Sequence, residues 1–179
     1  MLFRSYYNLL NCKNRFNKLI HFGSGAEVNA PESPYGLSKR VIVKSMLEQD
    51  NFYNIKIFAV FDENELDTRF IKGNIKRYIN HKPMVIHQDK FMDFFYIKDL
   101  VSLVNYYIIN NNPPKQTDCS YAGLYKLSEI ASIINNLDEH KVDIQIEQST
   151  LASPYYGTAN TLIEYIGLKQ GIINVYNKL

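Results

Sequence analysis

The sequence has few cysteines, no long apolar run and no excess of one charge, and each shortage excludes a class of protein. Two cysteines in 179 residues, Cys12 and Cys119, are too few for a disulfide framework. No stretch approaches the roughly 18 apolar residues of a membrane-spanning helix, and 20 basic against 18 acidic side chains leave no basic run for nucleic acid. The first residues lack the basic and long apolar regions of a signal peptide. These shortages predict a reduced, cytoplasmic protein that binds neither a membrane nor nucleic acid.

The chain does have enough apolar residues for a folded core. It is 46% apolar, 13% aromatic and 21% charged, which is far from the composition of a disordered chain. At roughly 100–200 residues per domain, the length corresponds to one domain, or to a larger one cut short. Helix and strand patterns alternate along the chain, and this alternation predicts an α/β fold with crossover helices.

Hydrophobic periodicity locates the expected elements. Helices are predicted at about residues 1–14, 34–49, 67–80, 99–111 and 126–136, followed by two short C-terminal helices. Strands are predicted at residues 18–22, 55–61, 84–87, 94–97 and 142–146. We expect both cysteines to be small buried groups and His21 to be a core histidine with satisfied hydrogen bonds.

A short glycine motif, Gly23-Ser24-Gly25, follows the first predicted strand and resembles the start of the dinucleotide-binding pattern G-x-G-x-x-G. Val28 occupies the position of the third glycine, and the residues after it do not predict a helix. The chain has no other glycine trio with this spacing and no G-x-x-x-x-G-K-[ST] loop. The sequence therefore contains no recognisable loop for cradling a pyrophosphate.

Tyr-x-x-x-Lys pairs place a phenol and an ammonium one helical turn apart, on the same face of a helix. A free tyrosine titrates near pH 10, so use of its phenolate near neutrality requires a pKa depression of about 3 units, or roughly 4 kcal/mol, to which a neighbouring cation contributes. The chain has three such pairs: Tyr35/Lys39, Tyr78/Lys82 and Tyr165/Lys169.

Only the first pair lies in a context that suggests chemistry. Ser24 stands eleven residues before Tyr35, at the end of a predicted strand. A strand-end hydroxyl and a Tyr/Lys pair on the next helix can converge on one substrate oxygen, which the hydroxyl orients while the phenol exchanges a proton. Without this context, a solvated helix face is the commoner explanation of such a pair.

The order of the motifs resembles the extended short-chain dehydrogenases/reductases, the family of NAD-dependent nucleotide-sugar epimerases, dehydratases and reductases. Residues 35–39, Tyr-Gly-Leu-Ser-Lys, match the family's Tyr-Gly-x-Ser-Lys, and residues 92–99 resemble its Arg-Asp-Phe-hydrophobic-x-Val-x-Asp. The other matching segments are residues 7–12, 19–28, 57–61, 127–131 and 160–162.

The resemblance implies the C-terminal part of a doubly wound, Rossmann-like parallel sheet with a small substrate-binding α/β lobe. It implies that Tyr35 is the acid/base residue and that Ser24 is its hydrogen-bonding partner. Lys39 would lower the tyrosine pKa and also donate to the ribose of NAD or NADP. Phe58 is expected to contact the cofactor.

On the substrate side, the sequence departs from the family pattern. Met92 stands where the family has an arginine that clamps the substrate's phosphates, a task that methionine cannot perform. Arg69 is expected to take over anion contacts, with Asn64 as a second substrate-binding residue. Asp93 and Asp99 match aspartates for which we expect a role in maintaining the fold.

In the family, the glycine-rich cofactor loop precedes the part that is matched here. We therefore expect one incomplete domain, with residues 1–65 and 85–110 from the Rossmann-like part and residues 66–84 and 111–179 in the substrate lobe. Three hypotheses follow: a truncated NAD(P)-dependent sugar enzyme, which we favour, an inactive sugar-nucleotide-binding module, or one half of a split enzyme. The expected partners are a sugar or nucleotide sugar and either a second copy or the missing N-terminal half. No metal site is expected, because His81 and His87 do not have metal-ligand spacing.

Overall fold

The computed structural model describes residues 2–179 and contains seven α-helices and seven strands within that range. The helices are α1 (Leu2–Asn11), α2 (Ala26–Asn29), α3 (Pro34–Leu47), α4 (Phe70–Ile79), α5 (Ile97–Ile109), α6 (Leu127–Ile134) and α7 (Leu168–Tyr176). The strands are β1 (Leu19–Ser24), β2 (Phe52–Ile57), β3 (Val60–Phe61), β4 (Met84–Gln88), β5 (Phe95–Tyr96), β6 (Gln116–Cys119) and β7 (Ile144–Gln148).

The largest sheet is parallel and has the strand order β1-β2-β6. Ser24 pairs with Ile57, and Ile57 pairs with Cys119, so the three strands end at the same edge. In open parallel sheets this carboxyl edge is where ligands bind. The predicted α/β fold with a parallel sheet is confirmed.

Helices cover both faces of this sheet. On one face, Ile42 and Met46 of α3 pack on Phe52, together with Tyr6 of α1. On the other face, Leu103 and Tyr107 of α5 pack against Ile55 in a separate core. Successive side chains of a strand point to opposite faces, which explains why β2 contributes to both cores.

A second body surrounds the two short parallel sheets β3-β5 and β4-β7. Its core is formed by the apolar stripes of three helices, represented by Ile75 of α4, Ile130 of α6 and Ile172 of α7, all fully buried. The aromatic residues 94–96 lie in the two cores, and each is at most 6% exposed. These aromatic side chains therefore form part of the packed interior.

Specific hydrogen bonds fix the start of α3 and the C-terminal end of α5. Ser33 caps α3, because its hydroxyl accepts from the backbone N–H of Gly36 at 2.9 Å, and Pro34 occupies the first helical position. The ammonium of Lys18 donates to the carbonyl oxygens of Tyr107 at 2.8 Å and Asn110, at the C-terminal end of α5.

Several predicted elements differ from the structure. Residues 55–61 were expected to form one strand, but the chain divides into β2 and β3, which belong to different sheets. Strand β6 has no counterpart among the predicted elements, because Gln-Thr-Asp-Cys lacks the β-branched and aromatic pattern of a strand. A one-turn helix, α2, follows Gly25 directly where no helix was expected, and α7 stands alone where two C-terminal helices were expected.

Two single-residue predictions are also wrong. Cys12 is exposed, because it follows the last residue of α1 and leaves the packed face, whereas Cys119 is buried as expected. The Nε2 atom of His21 is buried without a hydrogen-bond partner, so this histidine is not satisfied. Burial, with a smaller contribution from the Lys39 charge, lowers the pKa of His21 to about 4 and keeps it neutral.

Strand pairing also bears on the expected division of the chain. Residues 116–119 pair with β2 in the largest sheet rather than with the substrate lobe. Residues 84–88 pair with β7 and pack in the second body. Within residues 2–179, no helix is both long and apolar enough to cross a membrane.

Candidate active site

Tyr35 and Lys39 lie together at the start of α3. The Lys39 ammonium is 5.9 Å from the centroid of the Tyr35 ring, a favourable cation–π geometry. The Lys39 side chain runs inward, is 8% exposed and donates to the carbonyl oxygen of Phe22 in β1 at 3.1 Å. Tyr35 is 52% exposed. The helix therefore presents the phenol at the surface with a buried ammonium beside it.

A close helix contact places Tyr35 beside the end of β1. A Cβ atom at Gly36 would lie 2.6 Å from the carbonyl oxygen of Ala26 and still closer to that of Ala30. Only glycine allows this approach, so α3 begins directly against α2. Since α2 follows Ser24 after a single residue, the first turn of α3 lies next to the carboxyl end of β1.

Ser24 is engaged in the turn between β1 and α2. Its hydroxyl accepts from the backbone N–H of Ala26 at 3.2 Å. Along β1, Leu19 joins the core on the α3 face, whereas Ile20 joins the core on the α5 face. Ser24 is 8% exposed, so its hydroxyl is engaged within its own turn. Its catalytic role therefore stays a prediction.

Glu27 supports this turn from beneath and was not among the candidate residues. Its carboxylate accepts from the backbone N–H of Ser24 at 2.8 Å and from the Asn54 amide at 3.2 Å. Glu27 is 8% exposed, and burial raises the pKa of its carboxyl group above the usual value. A usable indication was present in the sequence, because Glu27 is the only acidic residue between positions 19 and 31.

Residues 150–160, which we call the strap, cross over the loop after Ser24. The Tyr155 ring would lie 2.9 Å from a Cβ atom at Gly25, and its centroid is 5.6 Å from that of Phe58. The Gly157 N–H donates to Asp93 at 2.8 Å, so this buried aspartate holds the strap in place. Burial raises the pKa of the Asp93 carboxyl group. The strap closes one side of the carboxyl edge of the sheet.

Phe58 lies beneath the strap. Its ring is 7% exposed and contacts the positions of Gly25 and Gly157, where a Cβ atom would collide with it. The ring thus fills the space between β1 and the strap. The expected contact of Phe58 with a cofactor stays a prediction.

Arg69 borders a separate cavity of about 490 Å³. Arg77, His87 and Asn74 also line it, together with Asp67, whose carboxylate is paired with Lys72 and Lys76. Arg69 is exposed and only loosely paired, with Nε 3.9 Å from Glu65. Asn64 is exposed in the preceding loop and is not among the lining residues. The structure therefore brings Arg69, but not Asn64, to a site that could accept an anion.

The two other Tyr-x-x-x-Lys pairs are built differently. Tyr78 is fully buried, and its hydroxyl donates to the carbonyl oxygen of His140 at 3.2 Å and accepts from the N–H of Asp138 at 2.9 Å. The hydroxyl of Tyr165 is buried without a partner. Neither phenol is presented to solvent as that of Tyr35 is.

Asp99 and Met92 both contact other parts of the protein interior. Asp99 is 2% exposed and accepts from the backbone N–H groups of Ile166 at 2.8 Å and Gly167 at 3.0 Å. It thereby fixes the start of α7, which agrees with a role in the fold. Met92 packs against the core of the second body. Within residues 2–179, no three histidine, cysteine, aspartate or glutamate side chains group as metal ligands.

Comparison of the structure with solved structures identifies its fold. A UDP-glucuronic acid 4-epimerase from Bacillus cereus, with NAD bound, matches with a TM-score of 0.70 over 90% of this chain at 17% identity. The dTDP-glucose 4,6-dehydratase of Bacillus anthracis matches with a TM-score of 0.75 over 96% of this chain at 13% identity. The chain has the fold of nucleotide-sugar epimerases and dehydratases. A GDP-mannoheptose C4 reductase from Campylobacter jejuni has the same fold, with a TM-score of 0.75, 97% of this chain covered and 12% identity.

The match covers only part of those proteins. The chain spans 60% of the length of the epimerase, 65% of the dehydratase and 73% of the reductase. No protein-family profile and no curated protein sequence matches it. The expected resemblance to the extended short-chain dehydrogenases/reductases is thus confirmed at the level of the fold.

Proposed function

We propose that this chain supplies the acid–base centre and the substrate side of an NAD(P)-dependent epimerase, dehydratase or reductase that acts on a nucleotide-linked sugar. The observation that carries the proposal is the position of the buried Lys39 ammonium, 5.9 Å from the ring of the exposed Tyr35. The fold supports it, because the solved structures with this fold include enzymes of all three kinds.

In this proposal, Tyr35 exchanges a proton with a hydroxyl or carbonyl oxygen of the sugar. Lys39 stabilises the phenolate, and its burial strengthens this effect because solvent screens the ammonium less there. The hydrogen bond from Lys39 to Phe22 holds the ammonium against β1, so the cation keeps its place when the phenol changes its protonation state. His21, which is neutral, adds no competing positive charge.

The residues present fit one end of a nicotinamide cofactor. Tyr35 and Lys39 would hold its ribose, and the nicotinamide, when bound, would accept or return a hydride. The sequence has no glycine-rich loop for the pyrophosphate. We therefore propose that a glycine-rich segment outside these 179 residues holds that part of the cofactor, on the same polypeptide or on a separate one.

The nucleotide part of the substrate is proposed to bind near Arg69. Arginine suits a diphosphate because its planar group can donate two parallel hydrogen bonds. Arg77 lines the same cavity and adds a second guanidinium group. Lys72 of α4 is engaged with Asp67 at 3.0 Å and with the carbonyl oxygen of Glu65 at 2.7 Å, so it is not available to an anion.

A second candidate is a binding module that recognises a nucleotide sugar without performing chemistry. The missing pyrophosphate loop favours it, because such a module needs no cofactor. It predicts that nucleotide sugars bind equally well with and without NAD(P)H and that no product forms.

The test is to incubate the purified protein with oxidised or reduced NAD(P) and with UDP-, dTDP- and GDP-linked sugars. Absorbance of the reduced nicotinamide and NMR analysis of the sugar then report the reaction. An enzyme forms product with the native chain and none with Tyr35→Phe. If the 179-residue chain is silent, the assay is repeated on the longer reading frame or with a co-purifying partner, in which we expect a glycine-rich βαβ unit. No turnover in any of these forms, with nucleotide sugar still bound, would leave the binding module as the function.

A further inference from the structure

Lys90 has an ammonium group without an anionic partner. It lies 5.8 Å from the centroid of the Tyr155 ring, and within residues 2–179 no carboxylate forms a salt bridge with it. The residue is half-buried, and its backbone is fixed because Lys90 O accepts from the N–H of Leu127 at 3.0 Å. Lysine side chains that are drawn away from solvent are usually paired. This one is held in place by an aromatic ring alone.

The position of this ammonium is set by the strap. Tyr155 contacts Gly25, the residue after the catalytic candidate Ser24, and also contacts Phe58. Met92 and Tyr155 form a β-bridge, and Lys90 is two residues before Met92, so Lys90 points to the same side as the Tyr155 ring. The charge therefore lies on the strap where the strap borders the carboxyl edge of the sheet.

The acidic groups around the strap have partners of their own. Asp93 accepts from the N–H of Gly157 at 2.8 Å, and Asp118 accepts from the N–H of Thr158 at 2.9 Å and pairs with Lys56 at 3.0 Å. Asp89 accepts from the hydroxyl of Ser128 at 2.7 Å and from its N–H at 3.1 Å. Glu27 is turned toward the N–H of Ser24 and the amide of Asn54. The strap itself contains no charged residue. An incoming anion could therefore pair with the Lys90 ammonium without displacing a carboxylate from it.

We propose that Lys90 binds an anionic oxygen of the substrate and thereby determines which sugars are accepted. The inference rests on the proposed function and adds a specificity residue to it. The anionic oxygen belongs either to the diphosphate that links sugar and nucleotide or to a carboxylate on the sugar. Tyr155 is the positioning residue, because its ring holds the ammonium near the end of β1.

The chain provides a matched control in Lys126. Its ammonium lies over the ring of Phe91 at 5.3 Å, in a similar cation–π contact. Phe91 and Lys126 are partners in an antiparallel bridge, so their side chains share one side of the backbone. Lys90 is adjacent to Phe91 and points to the opposite side. Lys126→Gln therefore also removes one positive charge, but on the side of the backbone opposite to Lys90.

The experiment compares Lys90→Gln and Lys126→Gln with the native protein by calorimetric titration of uridine, UDP, UDP-glucose and UDP-glucuronic acid. If Lys90 binds the diphosphate, Lys90→Gln weakens binding of the three charged ligands by roughly ten- to hundredfold. If it binds a sugar carboxylate, only UDP-glucuronic acid is affected. In both cases uridine binding is unchanged, Lys126→Gln binds as the native protein does, and Lys90→Arg recovers most of the affinity.

Two further results separate this inference from the proposed function. If the native protein binds nucleotide sugars and Lys90→Gln binds them equally well, the inference is wrong and the proposed function stands. If the native protein binds none of the charged ligands, either as the 179-residue chain or in the longer or partnered form, both are wrong. Thermal unfolding of each variant shows whether a loss of binding reflects a loss of folding, and Tyr155→Leu, which removes the ring and retains Lys90, is expected to weaken the same ligands.

Discussion

The buried ammonium of Lys39 lies between the ring of Tyr35, 5.9 Å away, and the carbonyl oxygen of Phe22, to which it donates at 3.1 Å. One side chain thus connects the exposed phenol of α3 to the backbone of β1. The contact of Gly36 with Ala26 fixes the same helix against the turn after β1. These two contacts make the phenol part of a rigid arrangement at the carboxyl edge of the sheet.

Replacement of the Tyr35 hydroxyl is expected to abolish turnover and leave the fold intact. Tyr35→Phe removes the group that exchanges the proton, so the rate should fall by roughly 10²–10⁴-fold. Tyr165→Phe is the matched control from another Tyr-x-x-x-Lys pair. Its hydroxyl is buried and unpaired, so its removal should leave the rate unchanged and should not lower the unfolding midpoint. Equal loss of activity in the two variants would contradict the assignment of Tyr35.

Glu27 is expected to make stability depend on pH. Burial raises the pKa of its carboxyl group in the folded protein above the usual 4.5, so the folded state binds this proton more readily than the unfolded state. The contribution of Glu27 to the free energy of unfolding is therefore present below the usual pKa of 4.5 and is lost as the pH rises through the higher pKa of the folded state. In Glu27→Gln this loss is absent, so the stability of the variant relative to the native protein should rise as the pH is raised above 4.5.

Urea unfolding at several pH values measures this effect. Glu164→Gln, at an exposed glutamate, is the control and should follow the native pH profile. Glu27→Ala also removes the charge, but it leaves the Ser24 N–H without its acceptor and should cost about 1–3 kcal/mol. Parallel pH profiles for Glu27→Gln and the native protein would contradict the account of the turn.

Lys18 is expected to stabilise the C-terminal end of α5. Its ammonium donates to three carbonyl oxygens there, those of Tyr107, Ile108 and Asn110, and its charge opposes the negative end of the helix dipole. Lys18→Met should lower the free energy of unfolding by about 1–2 kcal/mol. Lys13→Met is the comparison, because the exposed Lys13 donates to the Gln49 side chain at 2.9 Å and not to a helix end. This substitution should change the free energy of unfolding by no more than about 0.5 kcal/mol.

His81 is expected to carry backbone strain at the end of α4. Its φ of 52° lies in the left-handed region, and its N–H donates to the carbonyl oxygen of Tyr78 at 3.0 Å. Glycine adopts this conformation without strain, so His81→Gly should raise the free energy of unfolding by about 0.5–1 kcal/mol. Asn80, one residue earlier, has a φ of −89° and carries no such strain, so Asn80→Gly should lower the free energy of unfolding. A lower unfolding midpoint for His81→Gly would show that its contact with His140 outweighs the strain.

Local patterns in the sequence predicted the fold class and most elements. Pro34 at the first position of α3 and the apolar stripes of α4 and α6 report directly on local structure. Strand β6 was missed because its partner β2, sixty residues earlier, determines its conformation and its own polar residues do not. Cys12 was misplaced because helical periodicity was extended beyond Asn11, where α1 ends.

The candidate site was predictable where it depends on one helix and not where it depends on distant segments. The spacing of Tyr35 and Lys39 predicts their contact, because i and i+4 residues share a helix face. The strap was not predictable, since Tyr155 reaches Gly25 across 130 positions of sequence and carries no motif. The position of Ser24 beside Ile57 likewise depends on the pairing of β1 with β2, which the strand pattern alone does not specify.

The central claim is that this chain recognises a nucleotide sugar beside Tyr35. Its most direct test is calorimetric titration of the native protein with UDP-glucose and UDP-glucuronic acid, in the presence and absence of NAD(P)H, followed by the same titrations with Tyr35→Phe and Arg69→Gln. The account predicts saturable binding of one ligand per chain, weakened by Arg69→Gln and retained in Tyr35→Phe. Absence of binding by a cooperatively folded native protein, for these and for dTDP- and GDP-linked sugars, would contradict it.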